Sequence, residues 1–231
     1  MKRLGLIGGM SWESTAVYYR RLNELARERL GGQHSADLVM VSFDFAPIAA
    51  MQAAGEWDQA TAVMIAAARR LEAAGAKALM ICANTMHRMA PEVEAAVAVP
   101  LIHIADVTAA EVRRAGVSRP LLLATRFTME QAFYRERLKA GGVAAIIPNE
   151  TERARLHAII YDELIQGRIE PASRDAFVAV VARAVAEEGA DSAILGCTEF
   201  DLLVGPGDLP VPTFDTTDIH ARAAMDFALG R

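Results

Sequence analysis

A stretch of this chain occurs twice. Gly75-Ala76-Lys77-Ala78-Leu79-Met80-Ile81-Cys82-Ala83-Asn84-Thr85 aligns with Gly189-Ala190-Asp191-Ser192-Ala193-Ile194-Leu195-Gly196-Cys197-Thr198-Glu199. Two more matches keep the same order at a nearly constant offset. Arg3-Leu4-Gly5-Leu6-Ile7-Gly8-Gly9 aligns with Arg119-Pro120-Leu121-Leu122-Leu123-Ala124-Thr125, each an apolar run leading into a stretch with a Tyr-Arg pair, Tyr19-Arg20 and Tyr134-Arg135. Val99-Pro100 followed by Asp106 aligns with Val211-Pro212 followed by Asp218. A duplicated chain builds two copies of one structural unit and tends to place its active site on the axis relating them.

Within each copy, short apolar runs alternate with longer stretches of helical periodicity, which is the pattern of a parallel sheet flanked by helices. The expected strands are Leu4–Ile7, Leu38–Phe43, Ala78–Ile81, Leu101–Ile102, Pro120–Ala124, Ala144–Ile147, Ser192–Leu195 and Val211–Phe214. The expected helices include Ser14–Arg29, Trp57–Ala74, Thr108–Ala115, Thr128–Ala140, Thr151–Gln166 and Ser173–Glu188. The fold class is α/β, with two similar lobes related by a pseudo-twofold and the active site expected between them. The first lobe is expected over 1–105 plus 213–231 and the second over 106–212.

Charge and composition narrow the partners. With 231 residues, 53% apolar and 23% charged, the chain is long enough to bury a substantial core. A formal net charge of -5 and scattered Arg residues offer nothing to a phosphate backbone, so nucleic acid is not an expected partner. No apolar run approaches the ~20 residues of a membrane span, and MKRLGLIGGM reads as a first strand rather than a leader. The expected location is the cytoplasm, where Cys82 and Cys197 remain thiols. His34, His87, His103, His157 and His220 are dispersed singly without ligand spacing, so no metal site is expected.

The chemistry collects at strand ends, where α/β proteins bind ligands. Cys197 follows an apolar strand across Gly196, and a helix start or a nest of amides at that turn would favour its thiolate. Cys82 aligns with Gly196 instead, and one residue along an extended chain faces the opposite side, so Cys82 reads as a core thiol. Asn84, Thr85 and Thr198 offer amide, hydroxyl and backbone donors suited to a carboxylate. Arg168, after a long helix, can supply a cation for a second carboxylate. Gly8-Gly9-Met10-Ser11 lacks G-x-G-x-x-G spacing; it either admits a ligand's close approach or turns the chain.

Together these motifs resemble the aspartate/glutamate racemases over essentially the full length. The matching stretches are Gly5 to Ser14, His34-Ser35-Ala36, Gly55-Glu56-Trp57-Asp58, Asn84-Thr85-Met86-His87, His103-Ile104-Ala105-Asp106, Thr125 to Glu130 and Gly196-Cys197-Thr198-Glu199. The resemblance implies two α/β lobes, no pyridoxal phosphate, no metal and commonly a homodimer. It also implies a cofactor-independent reaction in which two groups, one per lobe, flank the substrate α-carbon, one removing a proton while the other returns one. By the resemblance, the α-carboxylate and amine of an amino acid or related dicarboxylate meet Met10, Asn84, Thr85, Thr125 and Thr198, while Gln52 and Arg168 face the distal end. One distal cation rather than two relaxes the demand for a second carboxylate.

At the catalytic pair the chain departs from the family. Cys197 is present in the second half, but the first-half position is Ala83, whose methyl group neither takes nor gives a proton. Three accounts stay open: an engineered or impaired racemase, a water or Cys82 acting in its place, or one-sided chemistry such as decarboxylation or isomerisation of a dicarboxylate. A relative that only binds amino acids is a further alternative.

Overall fold

The computed structural model describes residues 1–205 and 207–231. In the first half, β1 (Leu4–Gly8), α1 (Trp12–Leu30), β2 (Leu38–Ser42), α2 (Phe45–Ala54), α3 (Trp57–Ala73), β3 (Ala78–Ile81) and α4 (Ala90–Ala96) follow in order. The second half has α5 (Ile104–Ala115), β4 (Pro120–Ala124), α6 (Arg126–Glu130), α7 (Ala132–Ala140), α8 (Glu150–Ala158), α9 (Pro171–Glu188), β5 (Ser192–Gly196), α10 (Phe200–Leu203), β6 (Thr213–Asp215) and α11 (Thr216–Leu229). Contacts divide the chain into a first unit of Met1–His103 with His220–Arg231 and a second of Ile104–Ile219. Among the described residues no helix is long and apolar enough to cross a membrane.

Each unit holds a parallel three-stranded sheet, ordered β2-β1-β3 in one and β4-β5-β6 in the other. The internal repeat is visible in the register. Leu4 pairs with Ala78 in the first sheet, and their aligned counterparts Pro120 and Ser192 pair in the second. The missing edge strand of each sheet survives as a single bridge, Leu79 to Leu101 in the first unit and Leu121 to Ile146 in the second. Leu101–Ile102 and Ala144–Ile147, expected as strands, are therefore one-residue bridges, while Val211–Phe214 is displaced to Thr213–Asp215. The Tyr-Arg correspondence also shifts: Tyr134 is fully buried, but its structural equivalent in burial is Tyr18, since Tyr19 is 55% exposed.

The central strands are buried on both faces, which explains their unbroken apolar sequences. In the first unit Leu4, Leu6, Tyr18, Met80 and Cys82 pack with Ala221, Ala224 and Met225 of α11 on one face. Ile7, Met64, Leu71, Leu79 and Ile81 form the other. In the second unit Leu121, Leu123, Phe177, Leu195 and Phe200 lie on one face, while Ile104, Leu122, Tyr134 and Ile194 lie on the other. Burying side chains of this size stabilises the fold by about 1.5–3 kcal/mol each.

Two expected helices are interrupted. Thr128–Ala140 breaks at Gln131, whose ψ of 148° is extended. Thr151–Gln166 is α-helical only to Ala158; one π-helical turn follows over Ile159–Glu163, then a 3-10 turn over Leu164–Gln166. Asn149 starts α8 with a capping box, accepting from the Glu152 amide while the Glu152 carboxylate accepts from the Asn149 amide. Arg183 of α9 grips the same carboxylate through two hydrogen bonds of 2.5 and 2.6 Å. That fork fixes α8, and with it the turn that follows.

Candidate active site

In the second unit β4 and β5 run parallel with Ala124 opposite Gly196, so Thr125 and Cys197 leave the sheet side by side at its carboxyl edge. Thr125 caps α6, its Oγ1 accepting from the Thr128 amide at 3.3 Å. Gly196 has no room for a side chain, because a Cβ would lie 3.0 Å from Ala124 Cβ and from the Leu123 carbonyl oxygen. This close approach of strands is what sets the cysteine turn against Thr125.

Cys197 is partly exposed, whereas Thr198 and Glu199 are buried at 8% and 5%. The Cys197 thiol donates to Glu199 Oε2 at 2.9 Å, and the Thr198 hydroxyl donates to the same oxygen at 3.0 Å. The turn therefore does not favour a thiolate. Burial first, then the negative charge of Glu199 and its acceptance of the thiol proton, push the Cys197 pKa well above its usual value, with Asp201 adding a smaller push. The Glu199 amide opposes this and is outweighed, because α10 is one short turn beside a full carboxylate charge. The raised pKa keeps the proton on the Cys197 thiol, which is held in its hydrogen bond to the Glu199 carboxylate.

The corresponding edge of the first unit is built from the ends of β1 and β3. Gly9, at φ 86°, is forced by its neighbours: a Cβ there would lie 2.3 Å from both the amide nitrogen and the carbonyl oxygen of Phe43. The Gly8-Gly9 pair thus serves the chain's own turn. Met10, Ala83 and Met86 pack into one apolar cluster, and Gln52 Nε2 donates to Met86 Sδ at 3.0 Å. Asn84 and Thr85 are each 7% exposed at the start of a 3-10 turn over Thr85–Met89. Cys82 faces the opposite side of the sheet, fully sealed, and burial pushes its thiol pKa far up. A thiol so placed has no route to a substrate.

Behind Ala83 lies a histidine stack. His87 Nδ1 donates to the Ala83 carbonyl at 2.9 Å, and its ring lies 4.6 Å from that of His103 and 5.7 Å from that of His220. His220 Nε2 must donate to the Ile102 carbonyl at 2.7 Å, so its Nδ1 accepts from the Tyr18 hydroxyl at 2.9 Å. That assigns a neutral imidazole, and burial lowers its pKa to about 4.

The other sequence-derived candidate, Arg168, is exposed, and its guanidinium hydrogen-bonds the Asp162 carbonyl and Gln166 Oε1. These bonds tie it to the π-helical turn. One residue not singled out by sequence reasoning stands at the second-unit edge, Glu199, whose carboxylate accepts the hydrogen bond from the thiol. Among the described residues no group of three or more His, Cys, Asp or Glu side chains is arranged to hold a metal ion.

Two parallel three-stranded sheets in repeated α/β units, with a thiol-carboxylate couple at the carboxyl edge of one, define a duplicated α/β protein. Residues 7–224 match the Asp/Glu/Hydantoin racemase family model, and the chain belongs to that family. It is 22% identical over 226 residues to the broad specificity amino-acid racemase RacX of Bacillus subtilis (strain 168), covering 96% of each chain. A Yersinia pestis protein provisionally assigned as an Asp/Glu racemase superposes with a TM-score of 0.92 at 49% identity, over 99% of this chain and 100% of that one. An aspartate racemase homologue from Pyrococcus horikoshii OT3 superposes with a TM-score of 0.86 at 34% identity, over 99% and 100% respectively.

Proposed function

We propose that this protein is a cofactor-independent amino-acid racemase-like enzyme acting at the α-carbon of aspartate, glutamate or a related amino acid. The observation carrying this reading is the 2.9 Å bond from Cys197 Sγ to Glu199 Oε2 at a strand end beside Thr125. In the forward sense a water molecule takes the α proton as the C–H bond breaks, the electron pair moves into the carboxylate as an enediolate, and reprotonation takes a proton from the Cys197 thiol. In the reverse sense Cys197 acts as the base once Glu199 has accepted the thiol proton. Met10, Gln52, Asn84, Thr85, Thr125, Arg168 and Thr198 are the proposed substrate contacts.

Ala83 gives the second reading its basis. With a methyl at 83 and Cys82 sealed, the first half supplies no ionisable thiol, which favours one-sided chemistry at a dicarboxylate or amino acid. Loss of one positioned acid-base group costs on the order of 10²–10⁴ in rate, so inversion is expected to be slow relative to exchange on a single face. A homodimer in the cytoplasm is part of the same proposal.

The test is incubation with L- and D-aspartate and glutamate in heavy water, read by proton NMR of the α-position and by chiral chromatography. Inversion supports the racemase, and exchange confined to one enantiomer supports one-sided chemistry. Binding with neither reduces the protein to an amino-acid binder. Ala83→Cys is expected to raise inversion, and an unchanged rate argues against two-sided catalysis.

A further inference from the structure

The edge of the first unit that carries Asn84 and Thr85 is held from behind. Ala83 is partly buried, Asn84 sits at φ -62° and ψ -48°, and a 3-10 turn over Thr85–Met89 follows, its His87 amide donating to the Asn84 carbonyl at 3.1 Å. The His87 side chain, 1% exposed, closes the same turn from within: because a carbonyl only accepts, its Nδ1 carries the proton that the Ala83 carbonyl receives at 2.9 Å. A short turn has few backbone bonds of its own, so a buried side-chain donor decides where its first peptide points.

That donor is itself fixed. The His87 ring lies 4.6 Å from that of His103 and 5.7 Å from that of His220, both buried, and the His220 ring meets Tyr18 edge-on at 5.6 Å. His220 is bonded at both nitrogens, to the Ile102 carbonyl and to the Tyr18 hydroxyl. Ile102 in turn donates from its amide to the Leu79 carbonyl at 2.9 Å, so the stack is referenced to β3, the strand whose end carries Ala83. A side chain whose neighbours lock its rotamer holds its own partner in one geometry.

The 83–84 peptide is trans, and in a planar trans peptide the N–H and C=O bonds point in opposite directions. With the Ala83 carbonyl turned onto His87, the Asn84 N–H is directed away from the histidines. We infer that His87 is a positioning residue for the first-unit binding contacts: by gripping the Ala83 carbonyl it aims the Asn84 amide, and the Asn84–Thr85 turn with it, at a ligand carboxylate. His87 thereby deepens the proposed reading of Asn84 and Thr85 as substrate contacts, on which its role rests, by supplying the residue that orients them. Position 83 then matters through its backbone, which a methyl side chain leaves intact.

The experiment follows the backbone amide signals of the nitrogen-labelled full chain by NMR while L- and D-aspartate and L- and D-glutamate are added, in the wild type, His87→Leu and His87→Asn. Leu fills the place of the ring without a donor, whereas Asn keeps an N–H where Nδ1 stands. The Asn84 amide is expected to shift in the wild type, and the Kd of the bound amino acid to rise about tenfold in His87→Leu, the worth of one hydrogen bond, with His87→Asn recovering most of the loss. Melting temperatures mark the purely structural effect, which moves stability in both variants without separating their Kd values. The imidazole nitrogen signals of the wild type are expected to show the proton on Nδ1, a readout that needs no folded His87→Leu. An unmoved Asn84 amide, an unprotonated Nδ1, or equal Kd values in the wild type and folded His87→Leu overturns the inference. The expected shifts and Kd order with no α-proton exchange drop the enzymatic reading alone, and exchange with an unchanged Kd in His87→Leu drops this one alone.

Discussion

Replacing Glu199 with Gln tests what holds the proton on Cys197. The substitution keeps the shape and a carbonyl oxygen able to accept the thiol proton, but removes one negative charge 2.9 Å from Sγ. A thiolate and a carboxylate at that separation repel by about 1.4 kcal/mol in bulk water and about 6 kcal/mol at an effective dielectric near 20. Burial is the leading cause of the raised Cys197 pKa, so the repulsion exceeds the bulk-water figure and the midpoint shift is at least about one pH unit. Glu199→Gln is therefore expected to move the Cys197 alkylation midpoint down by one unit or more. The gain in rate will be smaller than the gain in thiolate, about threefold per unit, because a less basic thiolate is a poorer nucleophile. A midpoint that stays in place, or rises, in a folded Glu199→Gln protein refutes the assignment of the raised thiol pKa to this carboxylate.

Three further outcomes follow from described contacts. His220 is neutral in the fold with a pKa of about 4 against an ordinary 6.5, so its stabilisation is complete above 6.5 and is lost as pH falls through 4. Urea unfolding at pH 7.5 and 4.5 is expected to show up to about 3 kcal/mol more acid sensitivity in the wild type than in His220→Gln. Asp201 behaves oppositely: burial and then Asp215 push its pKa up to about 8, although the residue keeps an exposed flank. Its favourable balance is complete below an ordinary 3.8 and is lost as pH rises through 8, so Asp201→Asn should gain on the wild type in melting temperature between pH 4 and 8. Gly9→Ala is expected to destabilise by about 3 kcal/mol or more, measured by denaturant unfolding, since it combines left-handed strain with overlap on the Phe43 backbone.

How legible the fold was depended on which signal each element carried. β1, β3, β4 and β5 are buried on both faces, so their continuous apolar runs announce them. Leu101–Ile102 and Ala144–Ile147 have the same composition but pair through one residue each, a distinction made by neighbours rather than by propensity. Helix α2, apolar nearly all round, lacks the polar face that marks a helix in sequence, and it was not anticipated. The turn at Ile159–Glu163 was read as plain helix because a π turn leaves no compositional trace.

At the site, Cys197 and Thr198 were readable from the repeat, which aligns Cys197 with Ala83. Glu199 sits in the same motif, yet nothing in its spacing shows that its carboxylate folds back onto the thiol. That depends on the buried turn, and it reverses the expected direction of the thiol pKa.

The division of the chain is uneven, and this bears on its synthesis. Ile104–Ile219 is one continuous segment, so its core is made from a single run of chain. Met1–His103 emerges earlier but stays incomplete, because Leu4, Leu6, Tyr18 and Met80 await Ala221, Ala224 and Met225. The half translated first thus keeps an apolar flank open to chaperones or aggregation until α11 has been made.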